Sequence, residues 1–85
     1  MLSSKLNLNI VFRAEPEGGF TVLVPTLPGC ITYGKDIQEA QKMAKEAITL
    51  YLEDMAAEGE ELPRNEQTYL SNIEIVLPPS SSVHA

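Results

Sequence analysis

One cysteine, one histidine and six basic residues against twelve acidic ones are all that 85 positions hold of these types, and each scarcity removes a class of function. Cys30 by itself makes no intrachain disulfide, which excludes an extracellular disulfide scaffold. His84 supplies no histidine-based metal site, and at the far end of the chain it is no base for the Cys30 thiol. The formal charge of -6 repels phosphate backbones, so direct nucleic-acid binding by this chain alone is not expected, whereas a basic protein partner is favoured. No apolar run approaches the ~20 residues of a bilayer span and no signal-peptide pattern opens the sequence, so the expected address is the cytoplasm, without membrane association. Phe12, Phe20, Tyr33 and Tyr51 are scattered through core periodicities rather than interleaved with cations, which makes no base-stacking platform.

What remains is enough for one small core. With 44% hydrophobic residues, residues 1–79 are expected to form a single domain, and residues 80–85 a flexible tail without periodicity. Residues 5–14 alternate: Leu6, Leu8, Ile10 and Phe12 share one face, Asn7, Asn9 and Arg13 the other, with Val11 as an apolar exception on the polar side. Glu15-Pro16-Glu17-Gly18-Gly19 then predicts a hairpin loop into a second strand over residues 20–24. Pro25 ends that strand because it has no N–H for a ladder. Leu27-Pro28-Gly29-Cys30 makes a corner, and residues 30–34 a short third strand antiparallel to the second.

Asp36, with Glu39 three residues on, is a capping-box pattern that starts a helix. Ile37, Ala40, Ala44, Ala47, Ile48, Tyr51, Leu52 and Met55 continue it as an apolar stripe extending to Met43, and Gly59 stops it. A polar connection over residues 60–67 leads to Ile73-Glu74-Ile75-Val76-Leu77, a fourth strand expected beside and parallel to the first. The predicted fold is therefore α+β, a β-β-β-α-β two-layer sandwich whose four-stranded mixed sheet, in order 3-2-1-4, is covered by one long helix on one face. The other face is left open. Val11, Leu23, Pro25, Leu27, Ile31 and Tyr33 are the candidate partner or dimer interface there, and a homodimer or higher homo-oligomer is expected from the small core.

Residues that invite a catalytic reading lack their complements. Glu39, Glu46 and Glu53, spaced by seven along the helix, resemble a carboxylate array, yet a metal centre needs carboxylates converging from several elements, and the spacing reads as a solvated face. Cys30 has no base, so it reads as a buried, inert thiol. Gly34-Lys35-Asp36 precedes a helix, but Asp36 puts a negative charge where a phosphate would bind. No catalytic residue, metal ligand or cofactor is assigned.

The run GGFTVLVPTLPGCITYG, followed by a helix carrying Glu39-Ala40, Glu46-Ala47 and Tyr51-Leu52-Glu53, resembles the HicB family of type II antitoxins over residues 5–77. Gly19, Pro25, the Leu27-Pro28-Gly29-Cys30 corner, Thr32 and Gly34 carry the likeness. The resemblance implies a partial ribonuclease H-like fold. It also implies a non-enzymatic protein that binds and neutralises a small, basic, mRNA-cleaving toxin of the HicA type. Asp36 stands where many members have Ser or Thr, and Met43 where they have Asn. Longer members continue into a ribbon-helix-helix or helix-turn-helix operator-binding domain, for which this sequence offers no segment. Two other readings stay open: a stand-alone dimeric scaffold or regulatory domain without a toxin, and a residual metal-dependent nuclease. The second is opposed by Leu8, Asn9 and Ile10 where that chemistry needs a strand carboxylate.

Overall fold

A computed structural model describes residues 5–65 and 68–80. Three strands, β1 (Val11–Ala14), β2 (Phe20–Leu23) and β3 (Ile31–Gly34), form an antiparallel sheet in that order, and one helix, α1 (Ile37–Ala57), covers one of its faces. The register aligns Phe12 with Val22 and Val22 with Thr32, while Val11, Leu23 and Ile31 form the next row across. Because successive side chains in a strand alternate sides, the first row faces α1 and the second faces away from it.

The hairpin closes through Glu15 and Gly19, whose backbone N–H and carbonyl pair at 3.0 Å, with Gly18 and Gly19 both at positive φ. Phe20 returns under Phe12 edge-to-face, with ring centroids 6.5 Å apart. The corner after β2 is wound tightly: Leu27 N–H donates to the Val24 carbonyl at 2.9 Å and Cys30 N–H to the Leu27 carbonyl at 3.0 Å. Val24, Leu27 and Cys30 are thereby turned inward as a buried cluster against Ala47, Ile48, Tyr51 and Leu52. The Tyr51 hydroxyl donates to the Pro28 carbonyl at 2.7 Å, tying corner to helix. A second buried cluster joins Val22 to Ala40 and Ala44, packed by Ile10, Phe12 and Phe20.

The capping box forms. The Asp36 carboxylate accepts the Glu39 N–H at 2.8 Å, and the Glu39 carboxylate reaches back to the Lys35 N–H, also at 2.8 Å. Small residues let the layers meet: a Cβ built on Gly34 would lie 2.2 Å from the Ala40 nitrogen, so β3 passes the first turn of α1 at a distance that only glycine permits there. Met43, read as an extension of the apolar stripe, is exposed, because the buried arc of the helix is set by Ala40 and Ala44.

Two expectations are corrected. Among the described residues no fourth strand joins the sheet: residues 73–77 are exposed and belong to no strand, so the observed order is β-β-β-α with three strands. The first strand is also shorter than residues 5–14, since β2 ends at Leu23 and Pro25 turns the chain away, leaving residues 5–10 with no partner strand among the described residues. The return connection explains why the fourth strand is missing. It is fastened to this run, where Asn7 N–H donates to Asn65 Oδ1 at 2.6 Å, Asn65 Nδ2 to the Lys5 carbonyl at 3.4 Å and Asn9 Nδ2 to the Thr68 carbonyl at 3.3 Å. All but the first residue of the expected tail, 80–85, lies outside the described residues.

Candidate functional site

The sheet face away from α1 is the one broad surface that the three strands build together. Its apolar band is the cross-strand row Val11, Leu23 and Ile31. Val11, which broke the alternation of the first strand, is accounted for here as the outer member of that row. Val11 and Leu23 are half-buried by their neighbours, whereas Ile31 on edge strand β3 is 59% exposed. Pro25 lies exposed beyond the end of β2, and Tyr33 is 50% exposed one row along from Ile31. Leu27 does not share this surface: it is 2% exposed and belongs to the core under the corner, with Val24 and Cys30.

The adjacent row, Arg13, Thr21 and Tyr33, is polar and spans all three strands. Glu15 collects it at the hairpin end, accepting from the Thr21 hydroxyl and pairing with the Arg13 guanidinium at 3.3 Å. The Thr21 hydroxyl, helped by the positive charge of Arg13, holds the Glu15 carboxyl below the usual carboxylate range against a smaller opposing effect of burial. Tyr33 leans over the hairpin and its hydroxyl donates to the Gly18 carbonyl at 2.9 Å. Gly19 is needed beneath it, since a Cβ at that position would collide with the Tyr33 ring and hydroxyl. The open face thus consists of an apolar stripe beside a hydrogen-bonded polar stripe held at fixed register. Sequence reading located the first; the second is visible only once pairing places Glu15 against Thr21, six residues away.

The candidate catalytic groups do not converge. Cys30 is buried, and desolvation pushes its thiol above the ordinary value, toward the protonated form. Glu39 is engaged in the helix cap, while Glu46 and Glu53 are exposed further along α1. No group of three or more His, Cys, Asp or Glu residues among the described ones is arranged to hold a metal ion. His84 lies outside the described residues. No helix among them is long and apolar enough to cross a membrane.

Acidic charge is concentrated at the far end of α1. Glu53, Asp54, Glu58, Glu60 and Glu61 fall within nine positions that contain no Lys or Arg, and Arg64 approaches Glu61 at 3.9 Å. The last turn of α1 carries no basic residue, although the helix dipole there favours cations. This end of the molecule therefore presents a negative field with little internal compensation.

Residues 8–75 match the family described as HicB-like antitoxin of bacterial toxin-antitoxin systems, four-fifths of the chain. The chain belongs to the HicB-like antitoxin family. Similar proteins come from distant sources. A UPF0150 protein of Helicobacter pylori is 39% identical over 68 residues, covering 80% of this chain and 93% of that protein. Another, from Thermoplasma acidophilum, is 37% identical over 60 residues, 71% of this chain and 87% of its own length. A 14.9 kDa protein of Haemophilus phage HP1 is 45% identical over 47 residues, which cover 55% of this chain and 35% of the phage protein. The features that marked the HicB resemblance have structural roles in this member: Gly19 under Tyr33, Gly34 against Ala40, the buried corner at Leu27 and Cys30, and the Tyr51 tie to it.

Proposed function

We propose that this protein neutralises a small, basic, mRNA-cleaving toxin of the HicA type by protein contact, without chemistry of its own. Membership of the HicB-like antitoxin family over residues 8–75 is the observation that carries the reading. Val11, Leu23 and Ile31, with Pro25 and Tyr33 at their margins, are the contact surface on the open sheet face. Leu27 acts by supporting the corner. An apolar stripe is a suitable core for such a contact, and the polar row of Arg13, Thr21 and Tyr33 supplies its rim. The formal charge of -6, concentrated near residues 53–61, favours a cationic RNA-binding partner by steering encounter, while packing sets residence. The site of action is the cytoplasm, where messenger RNA is cleaved.

The test is co-expression with the HicA-type toxin encoded in the same genome, scored by growth and by calorimetric titration of the purified pair. Wild-type chain is expected to restore growth, and Ile31→Glu to weaken binding at least tenfold, because a charge would enter the apolar row of the contact. Ile31 is exposed in the free chain, so the variant should keep its fold by circular dichroism. Unchanged affinity of folded Ile31→Glu would move the contact off this face. Absence of binding by the wild type would remove the antitoxin assignment.

A further inference from the structure

Two halves of a strand pair stand apart in this molecule. The first half is the run before β1, where Leu6, Leu8 and Ile10 line a groove of about 790 Å³. Its opposite wall is the flank of α1, apolar at Ala44, Ile48 and Leu52 and edged by Gln41, Lys45 and Thr49. Beyond residue 10 the same edge continues as β1, which pairs with β2 on one side and with no strand among the described residues on the other. A strand laid along this edge would find backbone N–H and carbonyl groups to pair with, and Ala44, Ile48 and Leu52 on the helix side for its apolar side chains.

The second half is the segment that sequence patterning gave as a fourth strand. Ile73, Ile75 and Leu77 alternate with Asn72, Glu74 and Val76, with the same period as Leu6, Leu8 and Ile10 on the groove wall. None of them is buried in the single chain: Ile73 is 83% exposed and Val76 90%. An extended apolar run in water is unfavourable, and sequences that keep one use it as an interaction surface.

The path of the chain argues against its own groove as the destination. Asn65 Oδ1 accepts from the Asn7 backbone N–H and the Thr68 carbonyl accepts from Asn9 Nδ2, which ties the return connection to this run ahead of residues 73–77. Leu70 then shares a hollow with Asn9, Pro25 and Thr26, on the β2 side of this run, whereas the groove lies on its helix side. Beyond that point the chain leaves the body. The radius of gyration is 16.9 Å and the longest extent 60 Å, against about 12 Å for a compact chain of this length.

We propose that residues 73–77 of one copy insert as the fourth strand beside residues 6–10 of a second copy, and reciprocally, so that each domain is completed by strand exchange in a two-fold dimer. The occupant is identified by complementarity: the groove takes an extended segment with three apolar residues at alternate positions, and every copy carries such a segment unpaired. A two-fold arrangement fills both grooves and consumes both exposed segments, leaving nothing to propagate into fibres. The exchange lies on the helix-side edge and leaves the outer row of Val11, Leu23 and Ile31 uncovered, so it is independent of toxin binding.

Sedimentation equilibrium of the full chain at micromolar concentration tests the assembly, with Ile75→Glu as the variant. Ile75 is exposed in the single chain, so the substitution leaves the β1–β3 and α1 core intact by circular dichroism. The wild type is expected to be a dimer. Ile75→Glu, which places one charge in each of two grooves, should raise its dissociation constant on the order of a hundredfold. A monomeric wild type, or a variant that dimerises as well as the wild type, overturns the proposal. A chain carrying both Leu8→Cys and Ile75→Cys separates the two possible donors on oxidation. Disulfides between copies are expected. A disulfide within one chain, or none between these positions in a dimer, overturns the exchange.

Discussion

Gly34 is where the two layers of this domain come closest, and replacing it with alanine tests the packing argument. Its backbone is not in the left-handed region, so the substitution carries no penalty of that kind and the effect is steric. The added methyl would sit 2.2 Å from the nitrogen, 2.4 Å from the Cα and 2.8 Å from the Cβ of Ala40. The first two are helix backbone, so no rotamer change relieves the clash, and α1 must shift by about 1 Å to restore ordinary contact. Such a gap forfeits a quarter to a half of the dispersion attraction at each contact it opens, and the contacts in question are those of Val22, Ala40 and Ala44. Together with the usual cost of overpacking, we expect a loss of about 2–4 kcal/mol. Against the roughly 4–13 kcal/mol typical of 85 residues, that is a large fraction of the whole. The assay is urea denaturation at fixed protein concentration, necessary because association contributes to apparent stability. Ala40→Gly added to Gly34→Ala should not restore stability, since it removes the most distant of the three colliding atoms and adds about 1 kcal/mol of helix cost. A loss below about 0.5 kcal/mol for the single variant, or recovery in the double variant, would refute the close-approach account.

Two further outcomes follow from the titrating groups. The Thr21 hydroxyl and the Arg13 charge depress the Glu15 carboxyl, so its contribution to stability is present above its unfolded-state pKa and lost as pH falls through the folded-state value; Glu15→Gln should flatten that acid limb of the stability curve. Burial raises the Cys30 thiol, so its contribution is present below the unfolded-state value and declines as pH rises above it. In the native state Cys30 should resist a thiol reagent at neutral pH and react as the protein opens in urea; rapid native-state labelling would contradict the buried, protonated assignment.

The parts of this protein that are legible along the chain are those decided over a few residues. Asp36 and Glu39 cap the helix through bonds that span three or four positions, so the pattern in the sequence is the interaction itself. The hairpin at residues 15–19 and the corner at residues 27–30 were readable for the same reason, because proline and glycine restrict local backbone wherever they stand. The family was legible because its residues serve this framework: Gly19, Gly34, Leu27 and Tyr51 each answer a contact that the fold requires.

Pairing between distant segments was another matter. Alternation in residues 73–77 shows that they suit a strand, but not which edge receives them, because a period of two states a preference for a half-buried ladder and carries no address. The same holds for residues 5–10, whose neighbour is withheld by the end of β2 at Leu23 and the turn at Pro25. It holds too for Leu27, expected on the open face and buried by the winding of the corner. The sequence by itself determined the hairpin, the corner, the capped helix, the acidic balance and the family. Only the tertiary structure decided that the return connection is fastened to residues 5–9, because that course is set by hydrogen bonds from Asn7 and Asn9 to residues nearly sixty positions away.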